Sequence, residues 1–189
     1  MNEKSFEILN STNAKEKYQF VNKLIDFGKH SPETLYPYIS TVISLLDSKN
    51  SIIKWTGIDL LGYLISVDTD HKIVEQLPRL YMNLNTGKMI TANHVVWALI
   101  EIANVLKERQ KEIIETILKV QEYNYDTEEC KNIVYGNIIK GFSKIYNTID
   151  DDKIKSTVYE FIKNQVGNRR NSTKKKAETF IKKHKNSKS

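Results

Sequence analysis

Residues 36–64, YPYISTVISLLDSKNSIIKWTGIDLLGYL, carry two helical apolar stripes separated by a polar break. Ile39, Val42, Ile43 and Leu46 recur at three- and four-residue steps, and Ile53, Gly57, Leu60, Leu61 and Leu64 resume that spacing after Ser48-Lys49-Asn50. The break supplies turn and capping residues. Upstream, Ser31-Pro32-Glu33 puts a capping residue ahead of a proline at a first helical position. The segment predicts a helix, a short turn and a second helix.

This pair resembles the HEAT repeat, in which a proline-containing first helix ends in two leucines and a polar turn. The second helix then opens with an aliphatic and a basic residue, a small residue three on, and a leucine four further followed by glycine. Ile53, Lys54, Gly57, Leu61 and Gly62 occupy those places, with Lys54 standing where arginine is commoner, and Pro37 lies in the first helix.

Projected along the chain, the second helix aligns Leu24, Leu61, Leu99, Ile139 and Ile181, separated by 37, 38, 40 and 42 residues. Four residues earlier stand Phe20, Gly57, Val95, Tyr135 and Ala177; three later stand Phe27, Leu64, Ile102, Phe142 and His184. The polar His184, among lysines, predicts a last helix that closes the stack with a face toward water. First helices are expected at about 32–46, 71–84, 109–122 and 151–165. The resemblance implies an all-α fold, a right-handed α-solenoid of about five antiparallel helix pairs in a HEAT/armadillo-like superhelix. The pairs fall at about 1–28, 31–66, 71–105, 109–146 and 150–185 of a single domain spanning 1–189, with 186–189 as a disordered tail. The variable spacing disfavours the strict tetratricopeptide period.

Composition agrees with helices. Seven Gly and three Pro among 189 residues are few for a sandwich or barrel, and 40% hydrophobic content can fill a continuous core. No run approaches the roughly 20 apolar residues of a membrane span, so no membrane association is expected. A single cysteine, Cys130, cannot form an intrachain disulfide and suits a reducing compartment, making the cytoplasm the expected location. The net charge of +6 is uneven. Residues 168–189 hold nine Lys or Arg against one Glu, a net +8, while residues 1–167 hold 20 basic and 22 acidic groups, a net −2.

Catalytic patterns fail on residue supply. There is no glycine-rich phosphate loop, no His-Glu-x-x-His, no Gly-x-Ser-x-Gly and no cysteine pair. None of the four histidines precedes a glutamate, unlike the repeated His-Glu pairs of HEAT-like di-iron hydroxylases. Asp68, Asp70 and His71 form the densest metal-like cluster, but acidic capping of the next helix is the preferred account. Cys130 reads as an ordinary residue near a helix start. No catalytic residue, metal or cofactor is expected.

Binding surfaces are easier to nominate. Second helices line the concave face of HEAT folds, and the resemblance places Trp55, Thr56, Asp59 and Tyr63, then Asn93, His94, Trp97 and Glu101, then Asn137, Lys140 and Lys144, and finally Lys176, Thr179 and Lys183 along it. Internal packing of Trp55 and Trp97 is the competing account of the two tryptophans. Arg169, Arg170, Lys174, Lys175, Lys176 and Lys183 are phosphate-binding candidates, set against a solvated cap on the last pair. The leading expectation is a noncatalytic scaffold for a protein or peptide partner. The alternative is a nucleic-acid binder distantly similar to HEAT-like alkylated-base DNA glycosylases, with Trp97 and Glu101 or Trp55 and Asp59 imitating their aromatic and acidic site. A lyase-like chromophore handler is a third class that no residue selects.

Overall fold

The computed structural model describes residues 2–184, and among them all regular structure is helical. Lys185 and the 186–189 tail lie outside the described residues. The chain divides into two compact units, Met1–Leu80 and Tyr81–Ser189.

In the first unit, a 3-10 helix over Glu3–Asn10 leads into α1 (Ala14–His30). Asn13 Oδ1 starts α1 by accepting from the Lys15 and Glu16 amides at 3.1 and 3.3 Å. The helix expected over 32–46 is broken into α2 (Pro32–Leu35), a 3-10 turn at Tyr36–Tyr38, α3 (Ile39–Ser44) and a further 3-10 turn at Leu45–Asp47. Pro37 lacks the amide that an unbroken α-helix would use, and the backbone tightens around it. Pro32 is the first residue of α2 as expected, yet the Ser31 side chain makes no capping bond; its amide instead closes α1 on the Phe27 carbonyl at 2.8 Å. Next comes α4 (Ser51–Leu64), capped by Asn50 Oδ1 on the Ile52 and Ile53 amides at 3.0 and 3.3 Å. α1, α2 and α3 all pack on α4, burying Leu24, Leu35, Val42, Leu60, Leu61 and Leu64 completely.

The helix expected from residue 71 begins late. α5 runs Leu77–Leu84, across the boundary between the units, after a 3-10 turn at Val74–Gln76. His71 has φ of 57°, a left-handed backbone that a continuing helix excludes. Asp68 closes this turn: its carboxylate accepts from Tyr36 Oη at 2.8 Å and from the Ile73 amide at 3.0 Å. The acid thus serves a backbone amide ahead of the helical turn, but it is not that turn's cap: the N-cap is Ile73, with no side-chain capping bond.

The second unit continues with α6 (Met89–Val105), α7 (Lys107–Leu118), α8 (Glu128–Ile145), α9 (Asp152–Asn164) and α10 (Asn171–His184). Thr127 caps α8 through the Cys130 amide, and Asp151 caps α9 through the Lys153 and Ile154 amides at 2.9 and 3.0 Å. α8 lies between α6 and α10, while α7 packs on α6 and α9, and α9 on α10. This makes two helical layers, α6-α8-α10 and α7-α9, over a core that includes Val95, Leu99, Ile114, Ile139, Phe142 and Val158. Gly141 lets α8 approach α6: a β-carbon there would sit 2.6 Å from Ile100 Cγ1.

The last helix departs from the expected register. Thr173, Ala177, Phe180 and His184 are its buried residues, while Ile181 is half-buried. Phe180, one step before the expected position, is the large apolar residue that enters the core. His184 does not face water; it is 7% exposed, with Tyr146 and Phe180 ring centroids at 4.6 and 4.5 Å. Its imidazole body packs as an aromatic ring, which is why a polar residue is tolerated there.

Candidate functional site

The nominated ribbon residues lie on the expected helices. In the first unit, Trp55, Asp59 and Tyr63 stand four residues apart on α4, each half-buried, with the Lys29 ammonium 5.7 Å from the Tyr63 ring centroid. In the second unit, His94, Trp97 and Glu101 occupy α6 and Asn137 occupies α8, again half-buried. Glu101 is engaged: Lys144 Nζ on α8 donates to both carboxylate oxygens at 2.6 Å. That pair fastens two neighbouring helices and occupies the acid that a glycosylase-like reading would use.

The basic segment separates into several environments. Arg170 is ion-paired with Glu129 of α8, and Lys174 lies 3.9 Å from Glu178. Arg169 lines a different depression, beside Glu128, Tyr135 and Asn168. Lys175, Lys176 and Lys183 line a groove with Lys140 of α8. The six phosphate candidates therefore line more than one depression, although Arg170 remains near enough to bear on Lys176.

The groove between α8 and α10 has a volume of about 440 Å³, within the usual range for small-ligand clefts. Its wall is built by helix spacing: Lys140 and Ser143 are three apart on α8, while Lys176, Phe180 and Lys183 succeed one another on α10. Gly136 and Thr173 hold the two helices together. A β-carbon at Gly136 would lie 2.7 Å from Thr173 Oγ1, which donates to the Asn132 carbonyl at 2.7 Å in a fully buried position. The same absent β-carbon leaves room for Lys176, whose Nζ would be 3.3 Å from it. The lysine stems, Phe180 and the His184 ring give the groove an apolar lining beneath its ammonium groups.

Electrostatically the groove is uncompensated. Among the described residues, Lys140, Lys175, Lys176 and Lys183 have no carboxylate within ion-pairing distance. Partial burial, with the Lys140 and Arg170 cations nearby, holds the Lys176 ammonium below its ordinary pKa. The hydroxyls of the lining donate internally, Ser143 to the Ile139 carbonyl at 2.6 Å and Thr179 to the Lys175 carbonyl at 2.8 Å. The ammonium groups are consequently its main free donors. Among the described residues, buried His184 Nε2 has no hydrogen-bond partner.

Among the described residues, no three His, Cys, Asp or Glu side chains gather into a metal-holding group, and no helix is long and apolar enough to cross a membrane. No family profile matches the chain, and no curated protein matches it in sequence. Lys140, Lys176, Thr179 and Lys183 were grouped in the sequence through the HEAT resemblance, and they line one groove here. Phe180 and His184 were not so grouped, because their place at the groove follows from the rotated register of α10.

Proposed function

We propose that the chain is a noncatalytic binding module, a HEAT-like right-handed α-solenoid that holds a protein or peptide partner on its second-helix face. The observation that carries this reading is the groove of α8 and α10: four ammonium groups that no carboxylate of the described residues pairs stand on two packed helices, over an apolar lining. Uncompensated charge held on rigid elements is what a docking surface requires. The layering of α6, α8 and α10 in the second unit and the near-regular ladder from Leu24 to Ile139 support the repeat architecture.

Nucleic acid is the less favoured partner. Glu129 ties up Arg170, Glu128 stands beside Arg169, and Glu101 takes Lys144, so acidic groups interrupt the positive track that a phosphate backbone would follow. A photoreactive residue placed at Thr179 or Asn137, on the α6-α8-α10 layer, is expected to give protein adducts in the native cell. The same residue at exposed Thr157 of α9 is expected to give none of them. Identical adducts from both layers, or none from the first, overturn the reading.

A further inference from the structure

We infer that the α8-α10 groove recognises an acidic peptide segment carrying one large apolar side chain, an assignment that rests on the binding-module reading above. Two observations define this ligand. The groove concentrates Lys140, Lys175, Lys176 and Lys183 around one cleft of about 440 Å³, with their charges left unpaired by the described residues. Some other cations of this unit are matched, Arg109 to Glu112, Lys111 to Asp151, Lys144 to Glu101, Lys163 to Glu160 and Arg170 to Glu129, and others stand singly, but the groove brings four unmatched lysines around one cleft. That clustering, rather than the lack of partners by itself, makes the cleft a local excess of positive charge, and it calls for carboxylates in compact array.

The lining supplies the second requirement. Phe180, the His184 ring and the lysine stems offer a ligand apolar contact below the ammonium groups. A peptide with acidic residues on both sides of a leucine or aromatic side chain meets both features. The carboxylates reach the lysine heads, and the apolar side chain lies along the stems and rings. A nucleic-acid strand would match the charge only over this short stretch, since Glu128 and Glu129 stand farther along α8.

The test uses the full chain and a short fluorescein-labelled peptide with a central tryptophan flanked by glutamates, followed by anisotropy. Lys176→Glu with Lys183→Glu is expected to weaken binding by about tenfold or more, a change of about 1.4 kcal/mol or more. Lys4→Glu with Lys15→Glu, the same charge change on exposed positions of the first unit, is expected to leave it unchanged. Thr179→Trp, which fills the groove from an exposed position, is expected to abolish binding with the melting temperature retained. Replacing the peptide's tryptophan by serine is expected to weaken it about tenfold. Equal loss from both charge reversals, undiminished binding of the serine peptide, or tighter binding of a single-stranded oligonucleotide overturns the assignment. Cellular adducts at Thr179 that persist in the Lys176→Glu, Lys183→Glu chain leave the module reading standing and remove only the acidic ligand. Absence of adducts in the wild type removes both.

Discussion

His184 sits against Tyr146 and Phe180 with Lys155 and Lys183 nearby, so protonation would place a cation beside two others in a desolvated position. Burial, reinforced by those lysines, pushes its pKa below the ordinary histidine value of about 6.5. The unfolded chain then binds more protons than the folded one in acid. The stability is present above about pH 6.5 and is lost as pH falls toward the lower folded pKa. His184→Phe keeps an aromatic ring and removes the titration; its melting temperature is expected to fall less than the wild type's between neutral pH and about pH 5. Equal falls in the two chains would show that His184 does not contribute. Thr173→Val tests the other buried contact of α10: loss of the bond to the Asn132 carbonyl is expected to cost about 1–2 kcal/mol in urea unfolding.

Helix contacts in the second unit depend on close approach. Gly141→Ala is favoured by about 1 kcal/mol of helix propensity, but the new carbon would stand 2.6 Å from Ile100 Cγ1, and Ile100 is 1% exposed. Overpacking costs about 1–3 kcal/mol, so a net loss of up to about 2 kcal/mol is expected, read as a lower urea midpoint. Capping matters equally on α4: Asn50→Ala removes the acceptor for two amides and is expected to cost about 1 kcal/mol. At this scale the sequence was informative where a residue acts through its own backbone. Pro32 started a helix and Asn50 capped one, as their chemistry dictates. Pro37 was legible as a proline inside an expected helix, but the tightening of that helix into 3-10 turns emerged only in the structure.

Across the whole molecule, two compact units divide the chain, and the boundary falls inside α5. Each unit has its own set of completely buried residues. Hydrogen exchange is accordingly expected to report two cooperative groups of amides. Gly57→Val, whose new carbons would press on Leu45 Cβ 2.9 Å from the added β-carbon, is expected to accelerate exchange in α1 and α4 more than in α8 and α10. Uniform acceleration through all helices would mean a single cooperative unit. Charge follows the same division, since the described residues of the first unit carry nine basic and ten acidic groups and those of the second carry 18 and 13.

The sequence by itself determined that the chain is helical, where its main helices lie, and which side of α4, α6 and α8 is apolar. Those features follow from local periodicity, capping and proline, whose physics acts within a few residues. The grouping of Lys140, Lys176, Thr179 and Lys183 came from the HEAT resemblance, and the groove that they line is seen only in the structure. Only the tertiary structure decided that Phe180 rather than Ile181 enters the core, that His184 is packed against two aromatic rings, and that Glu101 is spent on Lys144. It likewise paired Arg170 with Glu129 and set Arg169 in a depression other than the lysine groove. Each of these depends on what a neighbouring helix presents at the point of contact, and that is set by packing between segments distant in sequence.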